Sequence, residues 1–420
     1  MTREFEVTIK LQNGNYKVYN SSTKEITETE KLNKNINSYF VPKHFITKLK
    51  DRKGWTDDEV DTYFDKVLKK YAKRLVIDRD ELLNCDTLLK KFDIFDVFQY
   101  PNGDIFYRRG DNVVTAFFRL ITRKDKYDYF DKITYQEYQY FESCFNGSLT
   151  YTKTGIFDCY GYDYSKYYPS ILGNIESKFK IPFKEGIEKT IVKLPKYLQY
   201  GFYKVKITSN NLIFDKLFKF NSSNIYCHYD VQFAREFDNV DIKLFLDEPN
   251  AFVYKGEDLI ESNKIFNLWF ETIKKLKNEL PKNTLVKLLA SSLWGYLSKS
   301  NIEIKTDDQF FNDDFAPDDY IIIDQIFKKN CSYFKLINKN NKFYSTDFRL
   351  KPFITSFARC KTARTIIDNN LIDDLIRIHT DSVCLSKPFD FSKYSDELIA
   401  EAKTTGKFEF ININNYVRID

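Results

Sequence analysis

Two short apolar stretches, more than two hundred residues apart, each run into an aspartate at a turn. They are GIFDCYGYD, ending at Asp163, and LIRIHTDSVCL, with Asp381 at its centre. The first reads as a buried strand that stops at Tyr164-Ser165-Lys166, with Pro169 suited to the first turn of a following helix. The second is two apolar arms around Thr380-Asp381, the outline of a tight hairpin. A sheet that joins these strands closes the chain over a long range and holds two carboxylates at metal-sharing distance. Taken singly, Asp163 reads as a strand-end residue capping the next helix, and Asp381 as a hairpin-turn residue.

The rest of the chain reads as α+β. FEVTIKLQNGNYKVYN alternates apolar and polar residues about Asn13-Gly14-Asn15, a hairpin signal. Val60, Tyr63, Phe64, Val67, Leu68 and Tyr71 fall at helical spacing within Asp57 to Leu75, behind a Thr-Asp-Asp start. A turn is expected at Pro101 to Asp104, and Val113 to Tyr140 reads mostly helical. FNGSLTY is a glycine turn entering a strand. Ile265, Leu268, Trp269, Thr272, Ile273 and Leu276 make one helical stripe, and Leu285, Leu288, Leu289, Ser292 and Leu293 another, joined through Pro281-Lys282-Asn283-Thr284 as an antiparallel pair.

With 420 residues the chain is long enough for two or three domains with a buried core. Sixty-five Lys and Arg against sixty Asp and Glu leave +5, a balance compatible with nucleic acid but not an argument for it. Seven cysteines, scattered singly without a CxxC pair, point to neither a disulfide framework nor a zinc site, and so to a reducing, intracellular setting. The N-terminus has no apolar core segment, and no apolar run approaches the ~20 residues that span a membrane. A soluble protein without a membrane partner is expected.

Carboxylates with few soft ligands suit Mg²⁺, and a pair of such ions about 3.5–4 Å apart serves phosphoryl transfer. That chemistry needs phosphate-binding cations. Lys287, Ser291 and Trp294 fall at i, i+4 and i+7 on a face distinct from the leucine stripe, while Lys274, Lys275 and Lys277 lie on the partner helix. A helix-borne lysine can hold a triphosphate as a point charge, and an aromatic further along can meet a base or sugar. In isolation, Lys287 is a solvated lysine and Trp294 and Tyr168 are core aromatics.

Three ordered motifs carry a family resemblance. DYSKYYPS (163–170) resembles motif A, DxxSLYPS, of the family B DNA polymerases; KLLASSLWG (287–295) resembles motif B, KxxxNSxYG; and HTDS (379–382) resembles motif C, DTDS. FNGS (145–148) is similar to the YxGG segment of the protein-primed branch, as found in viruses and linear plasmids. The stretch from Tyr226 to Gly256 resembles that branch's insertion.

The resemblance implies a right-hand polymerase palm, an antiparallel sheet backed by helices, with a helical fingers hairpin. Residues 1–110 would be an N-terminal α+β region, read alternatively as an exonuclease remnant. Residues 111–261 would be palm with motif A and the insertion, 262–298 fingers, 299–350 a connector, and 351–420 palm with motif C.

Asp163 and Asp381 would be the catalytic carboxylates, binding two Mg²⁺ ions, or Mn²⁺ in their place, with the Tyr164 carbonyl as an added ligand. Tyr168 would stack under the sugar and exclude ribonucleotides. Lys287, with Lys274 or Lys275, would hold the incoming triphosphate, and Ser291, Trp294 and Gly295 would line the nascent base pair. DNA contacts are implied at Gly147, Gly295, Thr380 and Ser382. Arg359, on a predicted helix, reaches either DNA phosphate or a surface salt bridge. Template-primer DNA, dNTPs and a terminal protein would be the partners.

Several positions depart from the pattern: Lys166, Tyr167, Ser291, Trp294 and His379 stand where the family has serine, leucine, asparagine, tyrosine and aspartate. His379 is expected to be a packed or edge histidine, and His44 and His228 structural. No convincing DxE motif is present, the weak candidate LLNCDTLLKKF offering only Asp86 and Leu82, so no proofreading is expected. After Asp381, 39 residues leave no room for the downstream KxY motif and the thumb. A missing thumb, supplied by a separate polypeptide, is one expectation. The other is an inactive polymerase-like protein acting as a DNA-binding or subunit scaffold.

Overall fold

In the computed structural model the described residues are 5–11, 15–20, 22–31, 37–40, 63–65, 68, 113–122, 130–246, 249–279, 284–311, 316–328, 331–339, 344, 346–391, 398–400 and 404–420. They form two compact units, one from Met1–Lys126 with Leu268–Tyr296, the other from Tyr127–Asn267 with Leu297–Asp420.

The first unit carries a four-stranded sheet in the order β3-β2-β1-β4. Strands β1 (Phe5–Lys10) and β2 (Tyr16–Asn20) form the antiparallel hairpin that the Asn-Gly turn predicts. Next, β3 (Ile26–Thr29) continues the meander, and β4 (Asn37–Phe40) lies parallel to β1. Most of the helix expected over Asp57 to Leu75 lies outside the described residues, but Tyr63–Asp65 and Leu68 are helical, with Phe64 and Leu68 buried. Helix α1 (Val113–Thr122) buries Val114, Phe117, Phe118 and Ile121, one stripe at 3.6-residue spacing. The turn at Pro101 to Asp104, the weak exonuclease candidate and His44 lie outside the described residues.

The second unit is built on a sheet in the order β21-β20-β6-β18-β17-β5, to which β19 adds through β6. Its strands are β5 (Thr150–Thr152), β6 (Gly155–Tyr164), β17 (Leu375–His379), β18 (Ser382–Leu385), β19 (Leu398–Ala400), β20 (Gly406–Phe410) and β21 (Tyr416–Arg418). All of these pairings are antiparallel. Cys159, Ile376, Cys384, Phe408 and Phe410 pack on one another across it. A second antiparallel sheet runs β10-β9-β12-β8, with β11 also on β9, over β8 (Ile187–Lys189), β9 (Gly201–Ser209), β10 (Ile225–Cys227), β11 (Val240–Leu244) and β12 (Ala251–Val253). Residues 299–350, expected as a connector, contain a three-stranded sheet of β14 (Ile302–Thr306), β15 (Tyr320–Lys328) and β16 (Cys331–Asn338). A two-stranded pair completes the strands, β7 (Lys180–Pro182) with β13 (Leu259–Glu261).

Four helices matter for the site: α2 (Tyr135–Cys144), α3 (Tyr167–Gly173), α4 (His228–Ala234) and α7 (Lys351–Asp368), with α5 (Asn263–Glu279) and α6 (Thr284–Leu297) between the last two in sequence. Helix α7 is buried along most of its length and packs on α2, α3 and α4. Thr134 opens α2 with a capping box, accepting from the Glu137 N–H while the Glu137 carboxylate accepts from the Thr134 N–H. That same carboxylate, 0% exposed, takes both Arg349 Nε and Nη2 at 2.8 Å, the Tyr254 hydroxyl at 3.0 Å and the Gly186 N–H at 3.3 Å.

Cys144, Cys159, Cys227, Cys360 and Cys384 are buried free thiols, and burial pushes the pKa of Cys144, Cys159, Cys227 and Cys360 up. Among the described residues no helix is long and apolar enough to cross a membrane.

His228 packs between Tyr200 and Tyr229 and accepts the Gly201 N–H at Nδ1. Burial lowers its pKa from 6.5 to about 3. Below pH 6.5 the unfolded chain takes up a proton that the folded one refuses, so stability falls as pH drops through that window, by on the order of a few kcal/mol. We expect the urea midpoint of His228→Phe to fall less between pH 7 and pH 4 than that of the parent; equal slopes contradict this.

Candidate active site

Strand β6 delivers Asp163 at its end because the chain turns sharply after Tyr164. Lys166 adopts the left-handed conformation (φ 56°) as the N-cap of α3, and Pro169, lacking an N–H, sits in that helix's first turn. The phenol rings behind it are structural: Tyr164 stacks on Tyr167 at 4.3 Å, the Tyr164 hydroxyl meets Thr365, and the Tyr167 hydroxyl donates to the Ala358 carbonyl. These contacts fix α3 to α7 beneath the strand end.

Strand β18 lies beside β6 with Ser382 opposite Asp163 and Val383 opposite Tyr162, while the Tyr164 N–H donates to the Asp381 carbonyl at 2.9 Å. Directly opposed residues on antiparallel strands share a face, so Ser382 and Asp163 point the same way. The turn residue Asp381, one position before Ser382, thus has its backbone next to the β6 end that carries Asp163. Strand β19 flanks β6 on its other edge, Ile399 opposite Asp163.

Tyr168 belongs to the same group. Burial first, then the charge of Asp381, pushes its phenol up to about 12, with Arg359 opposing. The hydroxyl is therefore neutral throughout the physiological range. His379, half-buried and opposite both Ser382 and Thr150, has its pKa lowered by burial first and by Arg377, with Asp381 opposing; it sits at the edge of the group.

The donor set suits a hard cation. Asp163 and Asp381 bring carboxylates, and Ser382 Oγ is buried without a hydrogen-bond partner on the face it shares with Asp163. Among the described residues no cluster of three or more His, Cys, Asp and Glu side chains forms a metal cage. Two carboxylates plus hydroxyl and carbonyl oxygen fit Mg²⁺, which keeps several waters and shares its remaining positions with phosphates.

The turn that presents Asp381 is strained and held. Thr380 has φ 65°, a region that costs a β-branched residue about 1–3 kcal/mol. Its N–H donates to the Leu149 carbonyl at 3.1 Å, and its hydroxyl meets Ser148 Oγ at 2.9 Å. Gly147, at φ 68°, makes the turn that puts Ser148 there.

Arg359 corrects one expectation. It reaches neither DNA phosphate nor a surface partner: its side chain is 5% exposed and grips Asp230, itself 2% exposed, with Nη2 at 2.9 Å from both carboxylate oxygens. Its Nη1 donates to the Gly147 carbonyl. The guanidinium is buried inside the α4–α7 contact. Asp230 is not among the residues the sequence points to, since an acidic residue in a short helix carries no local mark of its distant partner; Ser148 falls in FNGS, where the resemblance points to Gly147 instead.

The remaining candidates lie in the other unit. Lys287 and Ser291 are exposed on α6, Ser291 bonding back to the Lys287 carbonyl at 2.9 Å; Trp294 is half-buried and Gly295 exposed. Lys274 pairs with Glu271 at 3.3 Å on α5, next to exposed Lys275.

No protein-family model matches this chain, and no curated protein does. Solved structures do. "Phi29 DNA polymerase complexed with single-stranded DNA" matches with a TM-score of 0.50 at 14% identity, over 87% of this chain and 60% of that one. The fold is similar to that of Phi29 DNA polymerase. A second Phi29 DNA polymerase structure, complexed with primer-template DNA, matches over 99% of this chain and 86% of that one at 12% identity, but its TM-score of 0.49 adds no support. The chain spans about 60% of the length of the first of these polymerases, and at such identity the likeness concerns fold alone.

Proposed function

We propose that this chain is a DNA polymerase of the protein-primed family B type, catalysing template-directed transfer of a nucleotide from a dNTP to a primer 3′-hydroxyl or to a terminal-protein hydroxyl. The observation that carries the reading is the register of β6 against β18, which pairs Asp163 with Ser382, the residue after Asp381, while the Tyr164 N–H donates to the Asp381 carbonyl. The fold likeness to Phi29 DNA polymerase supports it. In this reading residues 111–261 and 351–420 make the palm, and 262–298 the fingers.

Asp163, Asp381 and the Tyr164 carbonyl would hold Mg²⁺, with Mn²⁺ as its substitute. When bound, the metal supplies positive charge that favours the deprotonated attacking hydroxyl and offsets charge on the departing pyrophosphate. Tyr168 holds a neutral phenol ring beside Asp381, where its face supports the sugar and leaves no room for a 2′-hydroxyl. Lys287 on α6 serves as a point charge for the triphosphate, helped by Lys274 or Lys275 on α5. Ser291, Trp294 and Gly295 line the nascent base pair, and Gly147, Thr380 and Ser382 approach the DNA backbone.

Primer extension with purified protein, primed template, dNTPs and Mg²⁺ tests the proposal. Incorporation that follows the template is expected; DNA binding without incorporation in either Mg²⁺ or Mn²⁺ overturns it in favour of a scaffold. In the same assay Lys287→Ala is expected to raise the KM for dNTP about tenfold or more, since it removes a charge that binds substrate. An unchanged KM takes Lys287 out of the nucleotide site.

A further inference from the structure

The turn bearing Asp381 is tied to a part of the protein that takes no part in the proposed chemistry. Asp230 on α4 anchors the Arg359 guanidinium through three hydrogen bonds to its carboxylate. Arg359, on α7, donates to the carbonyl of Gly147. The next residue, Ser148, meets the Thr380 hydroxyl, and the Leu149 carbonyl takes the Thr380 N–H. The segment is pinned from its other side as well, Asn146 Nδ2 donating to the Lys219 and Phe220 carbonyls at 3.0 and 2.8 Å. Thr380 is followed by Asp381, whose carbonyl accepts the Tyr164 N–H.

The logic of the chain lies in the conformation of Thr380. A β-branched residue at φ 65° relaxes toward negative φ unless its surroundings over-determine it. Relaxation there swings Asp381 away from Asp163. Besides the His379–Ser382 pairing that closes the hairpin, the two hydrogen bonds to Thr380 both come from residues 148–149, and that loop is held by Asn146 and by a buried, bidentate ion pair whose planar fork fixes direction as well as distance.

Resting on the polymerase reading for the role of Asp381, we propose that Ser148 and Arg359 are positioning residues: they hold the left-handed Thr380 turn, and through it the placement of Asp381 beside Asp163. Neither touches substrate in this account.

The test is hydrogen exchange on the full-length, metal-free protein, with Mn²⁺ binding by electron paramagnetic resonance as the second readout. Ser148→Ala, a small change that leaves the ion pair intact, is expected to speed exchange of the Thr380 and Tyr164 amides about tenfold or more and to weaken Mn²⁺ binding by a similar factor. Arg359→Lys keeps the charge but loses the fork, and is expected to loosen the same amides. Thr380→Gly relieves the backbone, so in that background Ser148→Ala should change Mn²⁺ affinity by less than about twofold.

Unchanged amide protection in Ser148→Ala, or a Ser148→Ala effect that persists undiminished on top of Thr380→Gly, overturns the proposal. A protein that incorporates no nucleotide yet shows these exchange and coupling effects overturns the polymerase reading alone. An active polymerase indifferent to Ser148→Ala in both readouts overturns the positioning role alone.

Discussion

Asp163→Asn and Asp381→Asn are each expected to lower single-turnover nucleotide incorporation about a thousandfold, with DNA affinity and thermal stability close to the parent's. The size follows from what the substitution removes in the proposed reaction: one of two charged oxygen donors to a cation whose charge would stabilise it, the class of change that costs on the order of 10²–10³ or more in rate. The sheet is held at both positions through backbone groups. Asp163 contributes to the sheet through its backbone register with Ser382 and Ile399, and Asp381 through its carbonyl to the Tyr164 N–H. Asparagine preserves both. Incorporation within tenfold of the parent by either variant would falsify the assignment of that aspartate.

Glu137→Gln is expected to be the most damaging single change to stability. Glu137 and Arg349 are fully buried, and the carboxylate also serves Tyr254, Gly186 and its own helix cap. Removing one charge strands the other in a low-dielectric interior, a cost of about 3–5 kcal/mol. Calorimetry should register that as a fall in Tm of roughly 10 °C. Arg349 additionally donates to the Asp131 and Lys132 carbonyls, so the change loosens the entry to α2 as well. The double variant Glu137→Gln with Arg349→Met removes both charges, and part of the loss should return. A Tm within two or three degrees of the parent's in Glu137→Gln alone, by the usual scaling of Tm with stability, shows the pair to be dispensable.

Local pattern made much of the architecture legible. The Asn-Gly turn announced β1 and β2, the arrest after Tyr164 announced the end of β6 and the start of α3, and two apolar arms announced the hairpin of β17 and β18. The leucine and aromatic stripes ran where α5 and α6 form. Each of these signals lies within a window of a dozen or so residues, where periodicity speaks directly.

The register of β6 against β18 is a different kind of fact. The order of three motifs raised it only through a family likeness, since nothing in either strand specifies the other. The fate of Arg359 was illegible for the same reason: a helix-borne arginine looks alike whether it meets solvent, DNA or a buried aspartate 129 residues earlier. The three-stranded sheet at 302–338 was also unannounced: the alternation in IEIKT is only five residues long, and YIIIDQIFK opens on a continuous apolar run that does not tell strand from helix. Left-handed backbone at Lys166 and Thr380, neither a glycine, escapes any reading built on glycine and asparagine as turn signals.

Every described neighbour of β6 comes from late in the chain: β18, β19 and β20 all lie beyond residue 381. During synthesis at about 5–20 residues per second, the strand that carries Asp163 leaves the ribosome roughly 10–40 s before the segments that hydrogen-bond to it. Throughout that interval its ladder groups and apolar face await partners not yet made, the situation in which nascent chains recruit chaperones or aggregate.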